Sequence, residues 1–205
     1  MPKIKICGLR REEDIAYANE LSPDFAGFIM APSRRRVSVG EAVILREKLR
    51  RDIPTVGVFV NQPVSEIAAC AAQGAFDWIQ LHGDENEEVI RELKKCVPMP
   101  IIKAVRVKSE RDCLQADKLS CEYLLFDTFS EEGYGGTGQT FSWEMIPPNL
   151  KHPYFLAGGI DCTNIEKAVK TGCYAVDVSS GAETGGVKDK IKMGQLIRTA
   201  HAEKG

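Results

Sequence analysis

The chain alternates between short apolar runs and helical or irregular segments from one end to the other. Eight of these runs have the length and composition of strands, at 3–7, 24–30, 55–60, 78–82, 101–105, 123–127, 154–157 and 175–179. Strands that are buried on both faces and separated by helices are typical of a parallel sheet. Eight such units predict an α/β protein, a (β/α)8 TIM barrel with residues 1–205 as a single domain.

An open, doubly wound sheet is the alternative that the same alternation allows. Dinucleotide-binding sheets of that kind carry Gly-x-Gly-x-x-Gly directly after the first strand, and no such motif follows Cys7 here. The closed barrel is therefore the favoured fold.

Local signals predict where several helices begin. Ser38 followed by Glu41 has the spacing of a capping box, so a helix is expected from there to about Arg51. The acidic pair Asp84 and Glu85 predicts the start of the fourth helix. A weak helix is expected over 142–146, and the last helix is expected over 188–202.

Composition excludes several classes of function. The chain of 205 residues is 27% charged with a net charge of -2, which favours neither nucleic acid nor an anionic membrane as a partner. No apolar run approaches the ~20 residues of a membrane span, and the N-terminus does not resemble a signal peptide. The seven cysteines form no Cys-x-x-Cys pair, which argues against a disulfide framework or a zinc site. We therefore expect a soluble, cytoplasmic protein.

The first strand has an unusual face. Alternation places Lys3, Lys5 and Cys7 on one side and Ile4 and Ile6 on the other. Taken alone, Cys7 is best interpreted as a buried structural thiol, since most such cysteines are inert. If the strand instead faces an enclosed site, lysine and cysteine together indicate chemistry.

In a parallel barrel the active site lies where the strands end. Strand one ends in Cys7, strand four in His82 and strand six in Asp127, while Arg34, Arg35 and Arg36 follow strand two. A thiol facing a carboxyl group across the barrel mouth favours an enzyme over a simple binding module.

Glycine turns follow the last two strands. Gly158 and Gly159 come after strand seven, and Ser180 and Gly181 come after strand eight. Barrels commonly bind phosphate at this position through backbone N–H groups, although glycines also serve simply to make tight turns. The loop around Gly136 either closes over a ligand or is an ordinary surface loop.

Eight stretches taken in order resemble the phosphoribosylanthranilate isomerase family of tryptophan biosynthesis. They are KICG at 5–8, SRRRVS at 33–38, VGVFVN at 56–61, QLHG at 80–83, DT at 127–128, GGTG at 135–138, AGGI at 157–160 and DVSSG at 177–181. The resemblance covers essentially the whole chain, and Glu183 also fits the family pattern. It implies a (β/α)8 barrel that needs no cofactor and no metal.

The activity implied by the resemblance is an Amadori rearrangement of an aminoaldose phosphate. By match to the family motifs, Cys7 is the base, Asp127 is the acid, and Arg35 binds the substrate's carboxylate. Arg34 and Arg36 are then expected to be neighbours in solvent, although a shift of one residue in the register would exchange these roles. His82 is expected to have a structural or substrate-positioning role rather than a catalytic one. Gly136, Gly158, Gly159, Ser180 and Gly181 are expected to lie in the substrate-binding site. A nearby cation should give Cys7 some thiolate character. Lys5 and Asp177 are expected to pair inside the barrel.

The expected partner is a phosphorylated small molecule, bound by a monomer or homodimer that works alone or beside other enzymes of tryptophan biosynthesis. One rival is an isomerase of histidine biosynthesis, which would be expected to use two aspartates rather than Cys7. The other rival is a barrel that binds a phosphorylated ligand without turnover.

Overall fold

The computed structural model describes residues 2–128 and 142–202. Eight parallel strands close into a barrel in chain order, with β1 paired to both β2 and β8. The strands are β1 (Lys3–Cys7), β2 (Phe25–Ile29), β3 (Thr55–Phe59), β4 (Trp78–Leu81), β5 (Ile101–Val107), β6 (Tyr123–Thr128), β7 (Tyr154–Leu156) and β8 (Ala175–Val178). The predicted TIM barrel is confirmed, and the open sheet is excluded.

Helices cover the outside of the barrel. They are α1 (Glu12–Leu21), α2 (Val39–Lys48), α3 (Val64–Ala71), α4 (Glu87–Cys96), α5 (Glu110–Ala116), α6 (Ile165–Val169) and α7 (Lys190–Ala202). The expected weak helix is a single 3-10 turn, Trp143–Met145. None of these helices is long and apolar enough to cross a membrane.

The barrel interior is layered because successive inward side chains on a strand are two residues apart. Its lower layer is apolar and aromatic; Phe25 packs edge-on against Trp78 and Phe155. The layer above is polar and contains Lys5 and Gln80, both almost completely buried. The strand ends above that layer form the rim of the barrel.

The boundaries of α2 and α4 differ from the sequence predictions. The capping box of Ser38 and Glu41 is confirmed, but α2 ends at Lys48. Helix α4 begins after Asn86, whose side chain accepts a hydrogen bond from Val89 N, so the predicted start at Asp84 and Glu85 is wrong. Glu85 instead turns inward and is buried.

An unpredicted β-ribbon precedes the last helix. β9 (Glu183–Thr184) pairs antiparallel with β10 (Val187–Lys188), so α7 begins at Lys190 and not at Lys188. Gly185 and Gly186 form its turn, both with positive φ. The ribbon places Glu183 and Lys188, both buried, beside the rim.

Candidate active site

A cavity of about 150 Å³ opens at the carboxyl ends of the strands. It brings together most of the residues singled out from the sequence, namely Cys7, Arg35, His82, Asp127, Gly158, Gly159 and Ser180. Gly181 is not among the residues that line this cavity, but it directly follows Ser180, which is. Gly136 lies outside the residues that the structure describes. Because β1 neighbours β2 and β8 in the barrel, Arg35 and Ser180 flank Cys7 from opposite sides.

Cys7 is held in a narrow space at the end of β1. Its register partner on β2 is Gly27, and a Cβ at that position would lie 2.9 Å from Cys7 Sγ and 3.2 Å from Lys5 Cε. Burial raises the pKa of the Cys7 thiol, and the negative charge of Asp177 raises it further. The positive charges of Lys5 and Lys188 lower this pKa, but the net shift is a rise. The cation that was predicted to lie near Cys7 is therefore present, but burial has a larger effect on the pKa of the thiol than the positive charges have.

Lys5 lies directly beneath Cys7 and is completely buried. Its Nζ donates to Asp177 Oδ1 at 3.0 Å and Oδ2 at 3.1 Å, which confirms the predicted pair. It also donates to Gln80 Oε1 at 2.8 Å. Burial lowers the pKa of Lys5, but the charges of Asp177 and Cys7 outweigh that effect and raise it overall.

His82 and Asp127 are hydrogen-bonded to each other across the rim. His82 Nε2 lies 3.1 Å from Asp127 Oδ2, and His82 Nδ1 lies 2.7 Å from Gln80 Nε2. The sequence predicts a structural or substrate-positioning role for His82, and the residue lines the cavity. Its ring is in addition bonded to the carboxyl group at the end of β6.

Arg35 is held by a carboxylate that belongs to the β-ribbon. Its Nε donates to Glu183 Oε1 at 2.6 Å and its Nη2 donates to Glu183 Oε2 at 2.9 Å. Its aliphatic stem crosses Gly8, where a Cβ would lie 2.7 Å from Arg35 Cδ. Arg34 and Arg36 are exposed, as predicted for neighbours in solvent, although Arg34 also reaches Glu183 at 3.3 Å.

Glu183 is the common partner of the half-buried Arg35 and the buried Lys188. Lys188 Nζ donates to Glu183 Oε1 at 3.0 Å and to Ser179 O at 2.9 Å. Burial raises the pKa of Glu183, but the hydrogen bonds and charges of Arg35 and Lys188 lower it to about 2. Burial lowers the pKa of Lys188, and Glu183 only partly offsets this.

The two glycine turns are packed directly against each other. Gly158 and Gly159 have φ values of 87° and 65°, which side-chain-bearing residues rarely adopt. A Cβ on Gly181 would lie 2.0 Å from Ile160 O, so the turn after β8 touches the backbone after β7. The glycines thus permit both the turn and the close approach.

A second cavity of about 430 Å³ adjoins the first at His82 and Asp127. Lys103 lines this second cavity and forms a buried ion pair with Glu85, with 2.8 Å between Lys103 Nζ and Glu85 Oε2. Within 2–128 and 142–202, no three His, Cys, Asp or Glu side chains are grouped so as to hold a metal ion.

Sequence reasoning missed Gly27, Gln80 and Lys188. Gln80 precedes His82 by two residues, so strand alternation places both side chains on one face and was a usable signal. Gly27 and Lys188 gave no such signal, because their importance depends on pairing between strands that are distant in sequence. The fold and the residues at its carboxyl rim define the class of the protein, a (β/α)8-barrel enzyme.

Comparison with known proteins gives the family. The model described as N-(5'phosphoribosyl)anthranilate (PRA) isomerase matches residues 4–199. The chain belongs to the N-(5'-phosphoribosyl)anthranilate isomerase family. The isomerase of Caldanaerobacter subterraneus subsp. tengcongensis is 45% identical, over 96% of this chain and 97% of that protein.

Solved structures agree with this assignment. A structure described as monomers of the dimeric phosphoribosylanthranilate isomerase from Thermotoga maritima is 32% identical, with a TM-score of 0.86, over 98% of this chain and 100% of that one. An isomerase solved with reduced 1-(o-carboxyphenylamino)-1-deoxyribulose 5-phosphate is 30% identical, with a TM-score of 0.81 and the same coverage.

Proposed function

We propose that this enzyme uses Cys7 as the base and Asp127 as the acid in its family's reaction. The enzyme converts N-(5'-phosphoribosyl)anthranilate into 1-(2-carboxyphenylamino)-1-deoxyribulose 5-phosphate, an Amadori rearrangement and a step of tryptophan biosynthesis. One observation carries the assignment of the two residues. Cys7 and Asp127 line the same cavity from strands β1 and β6, which are not neighbours in the barrel.

The chemistry needs two proton transfers at different atoms of the sugar. Asp127 gives a proton to the ribose ring oxygen, the C1'–O bond breaks, and the nitrogen lone pair forms a Schiff base. The Cys7 thiolate then removes the proton on C2', and the electron pair moves to the nitrogen to give the enolamine. In the final tautomerisation C1' gains a proton and the C2' hydroxyl loses one, which yields the ketone and returns Cys7 to the thiolate and Asp127 to the acid. The reaction is therefore balanced without any redox partner.

The environment of Cys7 acts in two opposite directions on a thiol that must lose its proton, through the cavity to solvent, before it can serve as a base. Burial keeps the thiol protonated in the free site, since the pKa is raised. Lys5 and Lys188 both act in the opposite direction and stabilise the thiolate once it forms. Lys5 remains charged because its own pKa is raised.

The substrate's two anionic ends match two different parts of the rim. The phosphate is assigned to the turns at Gly158, Gly159, Ser180 and Gly181, whose backbone N–H groups suit an anion. The anthranilate carboxylate is assigned to Arg35. Because Glu183 already occupies Nε and Nη2 of Arg35, the substrate would be met by the outer edge of the guanidinium, formed by Nη1 and the second Nη2 hydrogen.

The pair is tested by single replacements, with turnover followed through the loss of anthranilate-type fluorescence on adding phosphoribosylanthranilate. Cys7→Ser replaces the thiol with a far weaker acid, and Asp127→Asn cannot donate the proton. Each should lower kcat by about 10²–10⁴-fold, with a much smaller change in KM.

Cys173→Ser is the matched control. Cys173 is as buried as Cys7, but its Sγ donates to Ala168 O on the outside of the barrel, 3.7 Å away. A hydroxyl can replace that donor, so this variant should keep wild-type kcat. A folded Cys7→Ser variant with near-normal kcat would move the base elsewhere on the rim.

Three coarser predictions complete the proposal. Residues 1–205 are treated as one domain, and the enzyme is placed in the cytoplasm, which the seven free thiols support. We keep the prediction of a monomer or homodimer, alone or beside other enzymes of tryptophan biosynthesis; the Thermotoga relative is described as dimeric. Sedimentation at several concentrations distinguishes the two oligomeric states.

A further inference from the structure

A line of hydrogen bonds runs through the barrel from beneath Cys7 to Asp127. Lys5 Nζ lies 2.8 Å from Gln80 Oε1, and Gln80 Nε2 lies 2.7 Å from His82 Nδ1. His82 Nε2 then lies 3.1 Å from Asp127 Oδ2. Gln80 is 1% exposed, so water does not compete for its amide.

Each bond in this line has a direction that follows from the groups involved. The Lys5 ammonium can only donate, so Gln80 must present its carbonyl oxygen to it. The Gln80 amide nitrogen therefore faces His82, and an amide nitrogen can also only donate. His82 Nδ1 must accept, which leaves the single ring proton of a neutral imidazole on Nε2, facing Asp127.

We propose that Gln80 is a positioning residue of the reaction, which fixes His82 in the neutral Nε2–H form so that His82 donates to Asp127. This inference rests on the proposed role of Asp127 as the acid. With Oδ2 accepting from His82, the proton that Asp127 transfers must be on Oδ1. The same hydrogen bond then stabilises the carboxylate that remains after transfer.

The charged groups around this line act at its two ends. Asp177 and Cys7 contact Lys5 at one end, and Asp127 is at the other. Asp177 keeps Lys5 protonated, so Lys5 remains a pure donor. The orientation of the Gln80 amide is thus set by a charge pair that does not touch the substrate.

The first test reads the tautomer directly and needs no turnover. The chain has three histidines, so two-dimensional ¹H–¹⁵N spectra of protein labelled in the imidazole rings are simple to assign with a His82→Asn variant. We expect His82 in the free wild-type enzyme to carry its proton on Nε2 with a bare Nδ1. A wild-type His82 protonated on Nδ1 would overturn the inference.

Two replacements of Gln80 then separate the loss of its hydrogen bond to His82 from a change in the shape of the side chain. Gln80→Leu removes the donor, and Gln80→Glu keeps the shape while presenting a carboxylate oxygen to His82, which should protonate Nδ1. Both should lower kcat roughly 10- to 100-fold, the range for losing a hydrogen bond to a charged group, with little change in KM. Thermal unfolding checks that each variant is folded, and Gln80→Glu also retains a partner for Lys5.

A matched pair at His82 tests the direction of the effect. The amide nitrogen of glutamine overlays imidazole Nε2, whereas that of asparagine overlays Nδ1. His82→Gln should therefore keep more kcat than His82→Asn, since only the former reaches Asp127. Equal losses in both, or a folded Gln80→Leu variant with wild-type kcat and pH profile, would refute the positioning role. Asp127→Asn with wild-type kcat would instead refute the assignment of the acid, so the two failures are distinguishable.

Discussion

Replacing Gly27 with alanine should damage catalysis without touching a reacting group. The new Cβ would lie 2.9 Å from Cys7 Sγ and 3.0 Å from Cys7 Cα, whereas ordinary contacts begin at 3.4 Å. The atoms must therefore separate by about 0.5 Å. Rotation of the thiol relieves only one of these contacts, because Cys7 Cα belongs to the neighbouring strand.

The expected size of the effect follows from that displacement. Overpacking a buried site costs about 1–3 kcal/mol, which corresponds to a fall in Tm of about 2–12 °C for a chain of this length. A misplacement of about 1 Å can cost 10²-fold in rate, so a shift of half that size should lower kcat roughly 10-fold or more. KM should change less, because the proposed phosphate site follows β7 and β8, and Arg35, although it follows β2, is held in place by Glu183.

Steady-state kinetics and calorimetric unfolding on Gly27→Ala measure both quantities. Gly40→Ala is the control, since Gly40 lies in α2 with nothing within 4 Å of a new Cβ. That variant should keep kcat and gain about 0.4–1 kcal/mol of stability. If Gly27→Ala matched Gly40→Ala in both kcat and Tm, it would be wrong that the position of the Cys7 thiol depends on the lack of a side chain at residue 27.

Glu183→Gln removes the charge that anchors Arg35, so KM should rise about 10-fold or more with a smaller change in kcat; an unchanged KM would show that Arg35 is placed without it. Folding lowers the pKa of Glu183 from 4.5 to about 2, so its ionised form contributes about 3 kcal/mol above pH 5. That contribution is lost as pH falls from about 4.5 towards 2, and urea unfolding at several pH values should show a shallower acid limb in Glu183→Gln than in wild type. Gly181→Ala forces its Cβ against Ile160 O and separates the two turns, so inhibition by inorganic phosphate should weaken; unchanged inhibition would place the phosphate elsewhere.

The barrel was predictable because every strand carries its own local signal. Runs buried on both faces and separated by helices leave few topologies, and eight units in a single chain favour closure. The pairing of Lys5 with Asp177 was predictable for the same reason. Strands one and eight must meet when the barrel closes, and both residues point inwards.

Features that depend on tertiary contacts were not predictable. Asp84 and Glu85 look like an acidic first turn, yet Glu85 is buried with Lys103, and Asn86 caps the helix instead. Moving Glu85 to the helix would leave Lys103 buried without its partner, at a cost of about 3–5 kcal/mol, which exceeds a local preference worth about 0.3–1 kcal/mol. The β-ribbon was missed because its two strands are only two residues long, too short to show alternation.

The position of the polar layer indicates that its charged side chains serve the active site above it, and not the stability of the fold. Buried ion pairs contribute little net stability, and well-packed apolar side chains often replace them without loss. The lower layer of this same barrel shows that an apolar solution is available, since Phe25, Trp78 and Phe155 fill it. Buried charges occur one step higher, where Lys5 contacts Cys7 and, through Gln80 and His82, connects to the carboxyl group of β6. A buried charged layer at the level directly under the rim is what is expected if its function is to fix the protonation of the groups above it.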